Sequence, residues 1–403
     1  MSGALALAAL AIGAETPAPA RAERSIRRAV TPPPPAAASF ENPGALDGFY
    51  AALAANESGK AAHPARITYL GDSLTADDTI ANRLRGTLGK RFGDGGPGFL
   101  HVVPPHPYCR HRAVRRTGGG WTVHGVSTPF PADRLLGFGG GSAESHGGAS
   151  ARFTPKNAVV TRAEVYYLAQ PGGGELDIAV DGKDATSVAT AAEAKRASFV
   201  SVPVNAALGK LELKASGKVR LFGVVLEADR GVVVDNLGVV NATAQSWGKN
   251  RRDHWRGQLA HRAPDLLVVM IGTNEAGWLA GKALEDHAGV VEALLAPHRA
   301  ANPGASCLVI SPFDQVDWEK AGLPPRASIA PMVAAQRRAA TAAGCAFWDA
   351  QAWMGGPGSS KSWRKAGWLT NDYAHPTSEG AHRIADALSA ALLAGYDGYR
   401  RKH

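Results

Sequence analysis

Ile67-Thr68-Tyr69-Leu70-Gly71-Asp72-Ser73-Leu74-Thr75 joins a short apolar run to a turn made of Gly, Asp and Ser. The apolar run predicts a strand at 66–70, and apolar residues with helical spacing predict a helix over 77–90. A serine at a strand-to-helix turn can be an exposed nucleophile beside free backbone N–H groups. Gly, Asp and Ser are also ordinary turn residues, so this stretch alone leaves both interpretations open.

The second half of the chain indicates the sheet to which this strand belongs. Its strand candidates are continuous apolar runs without alternation, at 232–234, 266–271, 307–310 and 345–348. Helical candidates separate or follow them, near 249–262, 281–298, 329–343 and 377–394. Strands of this kind alternating with helices are typical of a parallel sheet covered on both faces. The sequence therefore predicts a three-layer α/β/α fold that includes the strand at 66–70.

Between these two parts the pattern changes to period two. Short alternating runs over 150–227 are broken by Gly-rich turns such as Asp181-Gly182, which predicts an antiparallel β-sandwich. The stretch 93–148 is rich in Gly, Pro, His and Arg and is interpreted as a flexible connector. An inserted domain is favoured, and an independent β-domain acting only as a spacer is the alternative. The predicted division is a leader and linker at 1–39, a discontinuous α/β domain at 40–100 and 230–403, and the insert at 101–229.

Composition narrows the class of protein and of partner. A hydrophobic content of 45% with 20% charged residues is typical of a well-cored globular protein. The net charge of +9 favours an anionic partner such as a nucleic acid, a membrane surface or an acidic wall polymer. No nucleic-acid-binding motif is present, so we expect no nucleic-acid partner. The basic cluster at 110–116 is predicted to be a solvated loop.

The cysteines indicate little about cellular location, whereas the N-terminus favours export. Three cysteines are too few for a disulfide scaffold, and Cys307 and Cys345 lie in apolar runs that predict small buried hydrophobic residues. Residues 1–12 are apolar and are followed by small residues around Ala20, which favours an export signal although a basic n-region is missing. We therefore expect a periplasmic or extracellular protein. No later run is long enough to predict an integral membrane segment.

Residues that could take part in catalysis follow the ends of the predicted strands. In an open parallel sheet such ends meet at one edge, where ligands bind. Singly, each candidate has an ordinary role in a turn, a cap or a loop. Together they supply a hydroxyl nucleophile, a histidine base, an aspartate to orient it and donors to an oxyanion. The candidates are Ser73, Gly238, Asn274, Asp372 and His375.

These blocks resemble the SGNH/GDSL hydrolase family. Its serine block is similar to Gly71-Asp72-Ser73-Leu74, its glycine block to Gly238, its Gly-x-Asn block to Gly272-Thr273-Asn274, and its Asp-x-x-His block to Asp372 through His375. All four occur in the family's order. One departure is Glu275, where many members have aspartate. The resemblance implies a flavodoxin-like fold.

A narrower resemblance is to bacterial peptidoglycan O-acetylesterases, which carry a jelly-roll-like insert that resembles a carbohydrate-binding module. This narrower resemblance rests on the β-rich insert and on the amino-acid sequence at 91–99 and 235–241. The resemblance implies Ser73 as nucleophile, His375 as base and Asp372 as its orienting partner. It implies an oxyanion hole formed by the N–H groups of Ser73 and Gly238 and by the Asn274 side chain. No metal and no organic cofactor are implied.

The sequence thus favours an exported esterase that removes O-acetyl groups from peptidoglycan or a related wall glycan. A sugar O-acetyltransferase and an esterase for another polysaccharide remain open, as does a non-catalytic glycan-binding protein. We expect substrate selectivity at the junction between the insert and the serine turn. The sequence indicates no oligomeric state.

Overall fold

The structure is a computed structural model that describes residues 38–183, 186–204 and 207–403. The described residues form one compact unit. The predicted leader and most of the predicted linker, at 1–37, lie outside the described residues. Within the described part, no helix is both long enough and apolar enough to cross a bilayer.

The strands are, in chain order, β1 (Ala65–Gly71), β2 (Gly98–Leu100), β3 (Val114–Gly119), β4 (Thr122–Gly125), β5 (Gly141–Ser145), β6 (Gly148–Pro155), β7 (Arg162–Ala169), β8 (Glu175–Val180), β9 (Thr186–Ala189), β10 (Arg196–Pro203), β11 (Leu211–Ser216), β12 (Val219–Glu227), β13 (Val232–Gly238), β14 (Leu266–Met270), β15 (Ser306–Ile310) and β16 (Ala346–Trp348). The helices are α1 (Asp47–Glu57), α2 (Ser73–Ala76), α3 (Thr79–Phe92), α4 (Ala244–Gly248), α5 (Arg252–Arg262), α6 (Gly281–Glu285), α7 (His287–Ala301), α8 (Ile329–Ala342), α9 (Ala350–Met354), α10 (Ser359–Lys365) and α11 (Ser378–Arg400). Short 3-10 turns occupy Pro43–Leu46 and Glu275–Gly277.

Five strands form the predicted parallel sheet, in the order β13-β1-β14-β15-β16. Strand β14 explains the absence of alternation in the sequence. Leu266, Val268 and Met270 enter the core on one face of the sheet, whereas Leu267 and Val269 enter the core on the other. Helices α1, α3 and α11 cover the first face, and α5, α7 and α8 cover the second. The three-layer, flavodoxin-like fold predicted from the sequence is confirmed.

The strand order reverses between β1 and β14, because the chain adds β13 on one side of β1 and the later strands on the other. A crevice forms at such a switch point, beyond the carboxyl ends of the strands. The serine turn follows β1 and the Gly-Thr-Asn segment follows β14. The fold therefore brings these two segments to the edge of the sheet where a site is expected.

Cys307 and Cys345 are buried, as predicted, but they are joined by a disulfide and are not merely small hydrophobic residues. Cys307 lies on β15, and Cys345 immediately precedes β16. These strands are parallel neighbours with Leu308 opposite Ala346, so the two cysteines are also opposite each other and form a buried disulfide. The disulfide could not be predicted from the sequence, because the two cysteines are 38 residues apart and only the strand order makes them neighbours.

The remaining strands form two antiparallel sheets, which agree with the predicted β-rich insertion. One has the order β10-β7-β12-β5-β4 with β2 paired to β12, and the other has the order β3-β6-β11-β8-β9. A separate hydrophobic cluster that includes Phe153, Val165 and Leu213 lies among their strands. The Gly-rich stretch is not merely a connector, since it supplies β2 to β5. The domain limits at 101 and 229 stay a prediction.

Candidate active site

Three of the predicted residues form one hydrogen-bonded chain. The Ser73 Oγ lies 2.7 Å from the His375 Nε2, and the His375 Nδ1 lies 2.8 Å from the Asp372 Oδ2. About half of the Asp372 side chain and 41% of the His375 side chain are exposed, so an incoming substrate has access to this chain from solvent. A hydroxyl, an imidazole and a carboxylate in this order can activate the hydroxyl as a nucleophile.

Asp72 fixes the turn that presents Ser73. It is the N-cap of α2, and its Oδ1 accepts a hydrogen bond from the Leu74 N–H at 3.0 Å. Its Oδ2 accepts a second bond, at 3.2 Å, from the Thr273 N–H in the segment after β14. Asp72 is fully buried, and burial raises its pKa, while these hydrogen bonds act in the opposite direction. A single carboxylate therefore joins the serine turn to the neighbouring strand end, a role that the sequence analysis did not assign.

A tight turn before α11 holds Asp372 and His375 together. The Asp372 Oδ1 accepts bonds from the Thr370 hydroxyl and from the N–H groups of Ala374 and His375. Burial alone would raise the pKa of Asp372, but the bonds from His375, Thr370 and the backbone hold it well below its ordinary value. The bond to Asp372 in turn raises the pKa of His375. The carboxylate is thus charged and oriented before a substrate arrives.

Asn274 lies in the Gly-Thr-Asn segment after β14, and one of the two N–H donors of its side chain has a described partner. Its Nδ2 donates to the Ala242 carbonyl at 2.9 Å, which ties the segment after β14 to the loop after β13. A carboxamide carries two N–H donors, so the second remains for another acceptor. The Ser73 N–H is at the first position of α2, where backbone donors have no partner within the helix.

Gly238 is in a different situation from Asn274. It ends β13 opposite Gly71, and its N–H already donates to the Asn236 Oδ1 at 3.0 Å. A Cβ at this position would collide with Thr75 and with the backbone of Ala76. Close packing against the serine helix is therefore sufficient reason for a glycine here. Its role as an oxyanion donor stays a prediction and requires the bond to Asn236 to be released.

Glu275 follows Asn274 and reaches the same loop. Its Oε1 accepts a bond at 2.7 Å from the Ala244 N–H, at the start of α4. The residue is fully buried, and its Oε2 has no hydrogen-bond partner among the described residues. Burial, with a further contribution from the charge of Asp72, raises the pKa of Glu275 to about 7, although the bond from Ala244 opposes this.

We predict that Glu275→Gln removes a pH-dependent loss of stability. The pKa of this acid is about 7 in the folded protein against an ordinary value of 4.5, so the folded state binds the proton more tightly than the unfolded state. The free energy of unfolding therefore falls as the pH rises through this interval, by up to ~3 kcal/mol for this group. The variant, which cannot ionise at this position, should gain stability relative to the wild type between pH 5 and pH 8. Urea unfolding at the two pH values measures the change.

Glu285→Gln is the matched control, because Glu285 is exposed on α6 and has no described ion pair. It should leave the difference between pH 5 and pH 8 as it is in the wild type. An equal effect of Glu275→Gln at both pH values would contradict the assignment.

The loop before β3 lies against the serine helix. The Arg110 N–H donates to the Ala76 carbonyl at 2.8 Å, and the Arg112 N–H donates to the Asp78 Oδ2 at 2.7 Å. The basic cluster predicted to face water is only partly solvated. His111 is buried, and Arg116 donates to the carbonyls of His101 and Cys109. These contacts fix the loop beside the serine turn, at the junction where the sequence predicts substrate selectivity.

On the other side, the long loop between β15 and α8 contacts both halves of the site. The Gln315 Nε2 donates to the Thr273 carbonyl at 3.2 Å, next to Asn274. The Trp318 Nε1 donates to the Asp372 carbonyl at 3.1 Å. Neither Gln315 nor Trp318 was a candidate from the sequence, because no local pattern marks a loop residue that reaches a site through tertiary contacts.

Comparison with known proteins bears on the family and the fold. The GDSL-like Lipase/Acylhydrolase family matches residues 214–383, which include Asn274, Asp372 and His375 but not Ser73. This match supports an esterase or acylhydrolase. No curated protein matches the sequence.

Solved structures provide the second comparison. One described as "Peptidoglycan O-acetylesterase in action, 5 min" aligns with a TM-score of 0.78 at 24% identity, over 89% of this chain and 99% of that chain. A lipase/acylhydrolase from Enterococcus faecalis aligns at 14% identity over 41% of this chain and 77% of that chain, with a TM-score of 0.32. The first alignment shows the shared fold. With the family match, it confirms the resemblance to SGNH/GDSL hydrolases and to peptidoglycan O-acetylesterases.

Proposed function

We propose that the protein is an exported serine esterase that removes O-acetyl groups from peptidoglycan or a related cell-wall glycan. The observation that carries the proposal is the hydrogen-bonded chain from Ser73 through His375 to Asp372, at the switch point of the parallel sheet. The similarity in fold to a peptidoglycan O-acetylesterase supports the choice of substrate.

In the proposed mechanism, the Ser73 Oγ attacks the acetyl carbonyl carbon while the His375 Nε2 takes the hydroxyl proton. Asp372 keeps the Nδ1 proton of His375 in place and stabilises the imidazolium that forms. The tetrahedral intermediate expels the sugar oxygen, which receives the proton from His375, and an acetyl-serine remains. A water molecule then repeats the sequence and releases acetate. No step requires a metal or an organic cofactor.

The negative charge that develops on the carbonyl oxygen requires fixed donors. The N–H of Ser73 and the second N–H of the Asn274 side chain are the donors that the geometry supports best. Gly238 would join them only after its N–H leaves Asn236. The bond between Asn274 and Ala242 holds the carboxamide in one orientation, which lowers the cost of reorganisation during the reaction.

Several features support an exported protein that acts on a wall polymer. A disulfide such as Cys307–Cys345 persists in oxidising compartments, including the periplasm and the extracellular space. The net charge of +9 favours a polyanionic polymer. We further propose that the hydrolase part comprises 40–100 and 230–403, and that the inserted 101–229 is a glycan-binding sandwich.

The proposal is tested by two measurements on the purified protein. A fluorophosphonate, which reacts with activated serines, should label the peptide that contains Ser73, as detected by mass spectrometry. Acetate should be released from O-acetylated peptidoglycan and not from the same material after removal of its O-acetyl groups by mild base. Release from other acetylated polysaccharides alone would replace the substrate, and acetyl transfer to a sugar in preference to water would indicate a transferase. Labelling of another serine, or no labelling, would overturn the assignment of Ser73.

A further inference from the structure

An exposed indole stands directly beside the proposed triad. Trp318 is 48% exposed and is one of the few large apolar side chains that face solvent among the described residues. Its Nε1 donates to the backbone carbonyl of Asp372, the residue that orients His375. The indole is therefore one hydrogen bond away from the triad.

The loop that carries Trp318 is closed on itself. Val316 and Pro325 form an isolated antiparallel bridge, and the Asp317 N–H donates to the Pro324 carbonyl at 2.8 Å. The Lys361 ammonium group donates to the Gly322 carbonyl at the tip. These contacts, together with the bond from Gln315 to Thr273, anchor the loop on both sides of Trp318.

The ring of Trp318 is also oriented. It meets the ring of Tyr373 edge-to-face, with the centroids 5.4 Å apart and the planes at 72°. Tyr373 itself has a φ of 54°, a left-handed conformation that is uncommon for an aromatic residue and is imposed by the turn between Asp372 and His375. Because the single polar atom of Trp318 is already bonded to Asp372, the exposed remainder of the indole offers only apolar ring surface.

We propose that Trp318, supported by Tyr373, is a sugar-stacking subsite that holds the pyranose ring of the glycan beside the triad. The inference rests on the proposed function and specifies how that site selects its substrate. Pyranose rings present C–H groups on their faces, and a fixed aromatic ring can cover such a face at low cost in side-chain entropy. A sugar stacked here would lie beside Asp372 and the triad, while Trp318 takes no part in the chemistry.

The test compares two acetyl esters, one with a sugar ring and one without. O-acetylated chitotriose supplies a ring to stack, and ethyl acetate supplies none. Trp318→Ala should raise the KM for the acetylated trisaccharide roughly tenfold or more, the effect of losing a well-packed tryptophan contact. Its kcat/KM for ethyl acetate should stay within about twofold of the wild type, because the triad is unchanged. Trp318→Phe keeps a ring but loses the N–H donor, and it should recover most of the affinity for the trisaccharide.

Trp278→Ala is the matched control, because Trp278 is 54% exposed and its side chain has no described hydrogen bond or ring contact. It should leave both substrates unaffected. An equal loss of kcat/KM on both substrates in Trp318→Ala would show that Trp318 only positions Asp372. No loss of kcat/KM on either substrate would show that the indole contributes neither to binding nor to positioning. Either result would overturn the subsite.

A binding measurement separates failure of this inference from failure of the proposed function. Titration with chitotriose that carries no O-acetyl groups, followed by isothermal titration calorimetry, requires no turnover. The wild type should bind the sugar at least about tenfold more tightly than Trp318→Ala. Equal affinities at every sugar site of the two proteins would overturn the subsite even in an active esterase. Sugar binding that depends on Trp318, in a protein that hydrolyses no acetyl ester, would overturn the proposed function and leave the subsite intact.

Discussion

Asp372→Asn should lower kcat for ester hydrolysis by about 10⁴, with the protein still folded. The Asp372 Oδ1 accepts three hydrogen bonds from its own turn, so the carbonyl oxygen of an asparagine would take that position. Its NH₂ group would then face the Nδ1 of His375, which would have to accept rather than donate. In that tautomer the Nε2 carries the proton and points at Ser73, so it cannot remove the hydroxyl proton. Steady-state kinetics with ethyl acetate measure the loss.

Asp386→Asn provides the matched control for this variant. Asp386 is on α11, the helix that follows the turn, and forms an exposed ion pair with Arg83. Such pairs contribute at most about 1 kcal/mol to stability. Neither Arg83 nor Asp386 has a described hydrogen bond or ion pair with the triad, so kcat should stay within about twofold. Retention of more than about a tenth of the wild-type kcat by Asp372→Asn would show that this carboxylate is not the partner of the base.

Local patterns were sufficient to predict much of the sheet. The apolar runs predicted all five parallel strands, because a strand buried on both faces has no polar alternation. The bounds shifted by a few residues where polar groups continue a strand, as at Asp235 and Asn236 in β13. The segment predicted as one helix at 281–298 is two, with α6 ending before α7 begins at His287.

Contacts that depend on strand order could not be predicted. The disulfide between Cys307 and Cys345 requires that β15 and β16 be neighbours. In the same way, the bond from Asp72 to Thr273 requires that β1 lie beside β14. The motifs identified the residues of the candidate site one by one, whereas the links between its loops became visible only in three dimensions. Gly238 shows the limit most clearly, because the motif assigns it a donor role and the structure shows its N–H in use elsewhere.

The parallel sheet and the antiparallel sheets meet at a buried network of ion pairs. Arg262 on α5 donates to both carboxylate oxygens of Asp235 on β13 and to Glu227 on β12. Glu227 also accepts from Arg66 on β1 and from Arg162 on β7. Burial would raise the pKa of Glu227, but the arginines around it hold the value well below the ordinary range. Glu227 is therefore charged inside the protein, and its cost in desolvation is offset only while the arginines remain.

Arg262→Met should accordingly destabilise the protein by about 3–5 kcal/mol, because it removes the buried ion-pair partner of Asp235 and leaves that carboxyl group with neutral donors alone, the Phe99 N–H and the Thr68 hydroxyl. The midpoint of urea unfolding measures the change. Arg256→Met is the matched control on the same helix, since Arg256 pairs with Asp253 at the surface and its loss should cost less than about 0.5 kcal/mol. A double variant Arg262→Met/Asp235→Asn removes the carboxyl group that has lost its ion-pair partner and should regain part of the loss. Equal midpoints for Arg262→Met and Arg256→Met would show that the network does not hold the two sheet systems together.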